Sequence, residues 1–402
     1  MNLNYMALAV PVFLLFIGLE YLLSKKLGRN VFNFTSSITN MNVGVAERLI
    51  DMFTAASFYF FYEYLHEHYA IFDIKPGILM WVSLILATDL IWYWYHRFGH
   101  EINVFWGFHV VHHTSEEFNY TAGTRITVFQ AFIRTAFWAV LPVIGFPPAM
   151  ITTMLIIHGF YPFFTHTQLI GKLGILEHIL VTPSHHRVHH ASNEAYLDKN
   201  FGDMFIIWDK LFGTFAEEKE TPRYGLTRQL GSHSFLWQHF HYLIELTYAV
   251  KKAPGFFQKL KIIFGRPADF DPALREMAEK RFLSKHKVRT RSQKFRSYAV
   301  IQFALMVTTL FFLLLFEHYI ATYIQVLVAL TIFVTLINCG AILEQRRWVF
   351  YIEFIRASLI VIITFYYFPH PTTFLFLSSL TIACLAYFSN LQNKYLSLIY
   401  GR

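Results

Sequence analysis

The sequence predicts an all-α fold: a multi-span helical membrane protein with a cytoplasmic helical cap that holds a histidine-rich dimetal site. Three observations predict it. Of 402 residues, 55% are hydrophobic and only 15% charged, whereas soluble domains carry roughly a quarter charged residues. Apolar runs near the length of a bilayer crossing recur along the chain. And eight histidines gather in three short clusters, 96-HRFGH-100, 109-HVVHH-113 and 186-HRVHH-190.

Taken in order, candidate spans fall at 5–23, 49–65, 77–95, 126–146 and 148–167, then at 298–316, 319–340, 350–368 and 371–389. The first has no basic flank before it and no small-residue cleavage site, so it reads as a retained anchor. The second begins among Glu47, Arg48 and Asp51, and the fourth contains Arg134. The stretch 126–167 is thus expected to be a pair of short or re-entrant helices. Lys25, Lys26 and Arg29 follow the first span and place that end inside. Alternating from there puts 96-HRFGH-100, the whole of 168–297, Arg346, Arg347, Lys394 and Arg402 on the cytoplasmic face.

Three regions are expected: 1–270, holding the unusual polar chemistry; a basic cytoplasmic linker, 271–297; and a C-terminal four-helix membrane unit, 298–402. Between 251 and 296 there are fourteen Lys or Arg against four acids, Asp269, Asp271, Glu276 and Glu279. Such a segment beside membrane spans suits anionic lipid. Nothing in the chain looks like a nucleic-acid module, so no nucleic-acid partner is expected. The two cysteines, Cys339 and Cys384, lie in apolar runs and form no CxxC motif.

The histidine spacing is that of metal ligands. Positions i and i+4 share a helix face, so His96 and His100 point one way. In each HxxHH the first histidine shares a face with both later ones, which groups His109 with His112 and His113, and His186 with His189 and His190. Thr182 and Pro183 supply an N-cap and a first-turn proline for a helix over 184–190. His185 is left without a partner. Imidazole suits iron, zinc and copper. Eight imidazoles exceed the needs of one ion, and two ions with four or five nitrogens each would use all of them and one or two more. His166, in 163-FFTHTQL-169, is the best addition, and His158 is a deeper candidate. The isolated histidines at 66, 68, 178, 233, 239, 241, 318 and 370 read as ordinary hydrogen-bonded residues. Asp89 lies seven and eleven residues before His96 and His100, nearly on their face, and an acid inside a span is expensive enough to mark function. Glu101 directly follows a candidate ligand.

HxxxH, HxxHH and HxxHH in this order, with a hydrophobic hairpin between the second and third, resembles the fatty acid hydroxylase and sterol desaturase superfamily. Within it the chain is most similar to the alkylglycerol monooxygenases and their bacterial relatives, through 96-HRFGHEINVFWGFHVVHHTSEEFNYTAGTR-125, 164-FTHTQLIGKLGILEHILVTPSHHRVHH-190 and 198-DKNFGDMFIIWDKLFGTF-215. The resemblance implies a membrane di-iron oxygenase. His96, His100, His109, His112, His113, His166, His186, His189 and His190 would be its ligands, with Glu101 as a catalytic carboxylate, beside which Asp89 stands as a catalytic candidate from its place in the span, and with Asp198, Asn200 and Asp209 in structural roles. It implies O2, a lipid substrate, two iron ions (replaceable by zinc during preparation) and an external reductant, either a donor protein or a reduced pterin such as tetrahydrobiopterin. The implied reaction is lipid C–H hydroxylation, extending to ether-lipid cleavage, with sterol or fatty-acid desaturation or hydroxylation as the alternative. The membrane would be the inner membrane in a bacterium or the endoplasmic reticulum in a eukaryote. No GxGxxG after a strand, P-loop or CxxCH is present to supply electrons from within the chain. Two other classes remain in view: a non-enzymatic membrane metal or haem carrier, which would need ionisable groups through several spans, and a zinc hydrolase, which would want three protein ligands and a nearby base.

Overall fold

The computed structural model describes residues 3–283 and 293–400, so the part of the basic linker at 284–292 lies outside the described residues. Every regular element among the described residues is helical, and the only β-type pairings there are two isolated bridges, Leu180 with Phe205 and Ala191 with Tyr224.

The chain divides into two compact units. One comprises Phe16–Gly231 and Gln238–Ser284, the other Met1–Leu15, Ser232–Trp237 and Lys285–Arg402. In chain order the helices begin with α1 (Ala9–Lys26), α2 (Phe34–Tyr69), α3 (Ile78–Glu101), α4 (Asn103–His113), α5 (Tyr120–Gly123), α6 (Gln130–Trp138), α7 (Val140–Ile144) and α8 (Pro148–Thr165). They continue with α9 (Pro183–His189), α10 (Ile207–Leu211), α11 (Phe235–Lys252), α12 (Phe256–Ile263) and α13 (Ala273–Phe282). Last come α14 (Gln293–Leu315), α15 (Thr322–Leu343), α16 (Val349–Tyr367), α17 (Pro371–Ala386) and α18 (Phe388–Tyr400).

Among the described residues five helices are long and apolar enough to cross a membrane: Tyr5–Lys26, α3, α14, α15 and α16. The pair α17 and α18, bent by 80°, makes a sixth if counted as one span. The expected spans at 49–65, 126–146 and 148–167 are helical but do not reach that standard. The first belongs to the 36-residue α2, where Arg48 binds Glu47 at 2.8 Å and Asp51 at 2.9 Å. The second is broken into the short helices α6 and α7. The third, α8, carries the buried His158 and an internal Pro162. These segments pack together with α3 through Tyr62, Leu84, Tyr95, Trp138, Leu141, Ile151 and Met154.

α2 starts on Asn33, whose side chain accepts from the N–H groups of Thr35 and Ser36 and so covers two of the orphan donors of a helix start. Its first half is buried and partly polar, with Asn40 and Asn42 facing inward. Gly44 allows close passage of the α5 end, because a Cβ there would stand 2.6 Å from the Thr124 carbonyl oxygen. In the C-terminal unit, Glu353 on α16 accepts from Tyr298 on α14 at 2.6 Å, Asn338 on α15 at 2.5 Å and Tyr395 on α18 at 3.2 Å, and pairs with Arg356. One carboxylate thereby ties four helices, as polar groups do where hydrophobic force between helices is weak.

Candidate metal centre

α3 and α4 are joined by a tight corner at Ile102, so their histidine faces meet. α9 closes the site from another direction. As expected from Thr182 and Pro183, it runs over Pro183–His189 with Thr182 as N-cap. His185 sits at its third position, where its Nδ1 accepts from the Thr182 N–H at 3.3 Å. It is a capping residue, and this accounts for the histidine that spacing left unassigned.

The nine expected ligands come together in two groups. His96, His100, His109, His113 and His189 form one, and His112, His166, His186 and His190 the other, with the nitrogens of each group within 4.8 Å of one another. Eight of the nine Nε2 atoms meet a neighbouring Nε2 at 3.0 to 3.3 Å. The ninth, His189 Nε2, is buried without a hydrogen-bond partner.

Tautomers follow from the outer nitrogens. His96 Nδ1 faces the Phe201 carbonyl at 2.8 Å, His112 that of Arg125 at 2.9 Å, His166 that of Pro162 at 2.6 Å and His189 that of Lys199 at 3.0 Å. A carbonyl only accepts, so each Nδ1 carries the proton and each Nε2 turns a lone pair inward. Lone pairs converging at such distances repel unless a cation lies between them. With metal–nitrogen bonds of about 2.1 Å, two ligands stand about 3.0 Å apart at a right angle and about 3.4 Å apart at the tetrahedral angle. The observed separations fit that donor set, and nitrogen-only ligation suits iron, zinc or copper.

Burial, reinforced by the neighbouring imidazoles, holds His109, His113, His186, His189 and His190 well below the usual imidazole range. Burial also lowers His112, to about 4. These imidazoles are therefore neutral and ready to ligate near neutral pH. In the unfolded chain they titrate near 6.5. Below that value the unfolded state binds more protons than the folded one, so the metal-free protein is fully stabilised above about pH 6.5 and loses stability as pH falls toward about 4. Thermal unfolding of chelator-treated protein over that range should show a midpoint that drops steadily. A flat profile would contradict a neutral cluster.

The outer partners differ from the expected acids. Asp89 does not receive an imidazole N–H. Both its oxygens turn to the segment after the third box, accepting from the N–H groups of Met204 at 2.8 Å and Phe205 at 3.0 Å and from Trp208 Nε1 at 2.9 Å. Backbone carbonyls take the Nδ1 protons of four of the imidazoles, those of His96, His112, His166 and His189. Asp89 lies with His158 and Asp203 in a buried trio, where His158 Nδ1 meets Asp203 at 2.7 Å, apart from the nine nitrogens. Glu101 is held by Arg97 Nε at 3.0 Å, one turn back on α3. Asp198 approaches His100 Nδ1 at 3.6 Å.

Residue types gave no sign of one further participant. Arg125 is 1% exposed and donates to the Val111 carbonyl at 2.9 Å and Asn40 Oδ1 at 2.8 Å, and also to Thr114 Oγ1 and Gln238 Oε1. It locks the end of α4 against α2, while its own carbonyl orients His112. Burial pushes the guanidinium down to about 9, which leaves it cationic at neutral pH.

The Fatty acid hydroxylase family model matches residues 81–214, a segment that contains all three boxes. The chain is 34% identical over 377 residues to the alkylglycerol monooxygenase of Homo sapiens, covering 91% of this chain and 83% of that one. The alkylglycerol monooxygenase of Danio rerio is 30% identical over 90% of this chain and 82% of its own length. Ornithine lipid hydroxylase OlsE of Rhizobium tropici is 30% identical over 36% of this chain and 44% of its own. No solved structure matches. Similarity that runs through the boxes and on across nine-tenths of the sequence shows that the chain belongs to the fatty acid hydroxylase family, among the relatives of alkylglycerol monooxygenase.

Proposed function

We propose that the protein is a di-iron lipid monooxygenase that hydroxylates a C–H bond beside the ether oxygen of an alkylglycerol. The observation that carries this reading is the pair of imidazole groups, five nitrogens and four, each group within 4.8 Å, with the lone pairs of His96, His112, His166 and His189 turned inward. Iron held there, supplied with two electrons by a reduced pterin or a donor protein, would provide O2 activation and oxygen insertion. Hydroxylation of the carbon next to an ether oxygen gives a hemiacetal, which collapses to an aldehyde and an alcohol.

The chain's own part is to hold, orient and keep dry. The carbonyls of Phe201, Arg125, Pro162 and Lys199 fix four of the imidazoles. Trp92 and Tyr95 of α3 pack against Phe137 and Trp138 of α6, with ring centroids 5.3 to 5.8 Å apart, in a core cluster on the helix that carries His96 and His100. It is suited to excluding water from that side of the boxes. Glu101 is the carboxylate this reading assigns to the reaction, and Asp89 is assigned to holding the loop that follows the third box. The boxes are assigned to the cytoplasmic face, in line with the basic residues that flank the spans.

The test is anaerobic purification with metal analysis, followed by O2 uptake on alkylglycerol, fatty-acid and sterol substrates with reduced pterin. About two iron ions per chain and alkylglycerol-dependent O2 uptake are expected. One zinc ion per chain and no O2 uptake under any reductant would sink the proposal.

A further inference from the structure

The segment after the third box is a strap with opposite roles on its two sides. Its N–H groups are taken by buried carboxylates. Asp209 receives those of Phe201 and Gly202, each at 2.7 Å, and Asp89 receives those of Met204 and Phe205. Asp203, on the strap itself, meets His158 of α8. Asn200 donates to the carbonyls of His185 at 3.1 Å and Ala216 at 2.8 Å. The turn is tight enough that Asp198 and Asn200 both adopt a φ of 56°. A Cβ at Gly202 would stand 2.6 Å from the Phe205 carbonyl oxygen and 2.9 Å from Asp209. The carbonyls on the other side, Lys199 and Phe201, receive the Nδ1 protons of His189 and His96.

His96 and His189 belong to the same five-nitrogen group. The four-nitrogen group takes its outer partners elsewhere, from Arg125 and Pro162. We propose that Asp209 and Asp89 are positioning residues for the five-nitrogen metal group alone: by clamping the strap they fix the two carbonyls that set the tilt of His96 and His189. This rests on the two-metal reading above. The chemistry calls for carboxylates. An ionised Asp is acceptor-only and matches two or three converging N–H groups, whereas an isosteric Asn turns an NH2 against one of them.

Cobalt(II) serves as the probe, titrated anaerobically into the metal-free full-length protein, with bound metal and the visible spectrum both read. Asp209→Asn is expected to lose about half of the bound cobalt, since outer partners commonly govern 10–100-fold in metal affinity. The spectrum that remains should match that of His189→Ala and differ from that of His112→Ala. Asp209→Glu should recover part of the loss. Wild-type cobalt content with an unchanged spectrum in Asp209→Asn would overturn the proposal, as would equal loss from both groups. Thr214→Val leaves the carboxylate in place and removes one donor to it, a 2.7 Å bond. It decides the matter if Asp209→Asn does not stay monodisperse: selective weakening of one cobalt step supports the proposal, and two unchanged steps overturn it. Wild-type protein that binds fewer than two cobalt ions would defeat the two-metal reading itself, a result distinct from either.

Discussion

His189→Ala is expected to lower turnover by more than about 100-fold and to reduce bound iron, since removing a mere outer partner already costs 10–100-fold. His189 offers the clearest ligand atom, an Nε2 that is buried without a hydrogen-bond partner. Its Nδ1 is committed to the Lys199 carbonyl, so the ring cannot turn to find another partner without breaking that bond. Its ring stands 4.3 Å from that of His96, 4.8 Å from that of His113 and 4.9 Å from that of His100, all members of the same group. Alanine removes one of five nitrogens and leaves the strap without one of its two imidazole donors. Metal analysis and single-turnover product formation on the same preparation would check this. Retention of both metal and activity would mean that the ligand set is wrong.

Arg125→Ala should be the most destabilising change outside the nine histidines, by about 3–5 kcal/mol, because it strands several buried hydrogen-bond acceptors at once. The side chain satisfies four acceptors on α2, α4, α11 and the turn after α4, all on buried residues. Each stranded acceptor costs about 1–3 kcal/mol. Lysine should not rescue the loss, because a single ammonium cannot reproduce the planar fork. Thermal unfolding in detergent, with metal content followed in parallel, would show a lowered midpoint and early release of metal, since the Arg125 carbonyl orients His112. An unchanged midpoint would show that the network matters little.

The chemistry of this site was legible because it is written in side chains at helical spacing. The i, i+4 pairs of α3, α4 and α9 and the cap at Thr182 could be read directly, and His166 fitted the count. The outer shell could not be read in the same way. Its acceptors are carbonyls of Arg125, Pro162, Lys199 and Phe201, and a carbonyl has no residue type. Residue types point instead to carboxylates, and its offset along α3 sets Asp89 beside the imidazoles, although it serves the backbone of another segment. Hydropathy likewise marked 49–65, 126–146 and 148–167 as spans. It could not register that Glu47, Arg48 and Asp51 satisfy one another within a long helix, or that α6 and α7 break.

Neither HxxHH box belongs to one metal group. His109 and His113 serve the five-nitrogen group while His112 serves the other, and in the third box His186 and His190 serve the four-nitrogen group while His189 crosses back. Adjacent residues 112 and 113, and again 189 and 190, therefore fall in different groups and, on the two-metal reading, would reach different ions. The spacing between two such ions would be set twice by neighbouring residues, once at the end of α4 and once where α9 ends on its C-cap His190. Such a centre has a built-in gauge. Zinc or cobalt in place of iron should adopt the same separation, and any movement that parted the ions would first have to unwind the last turn of α4.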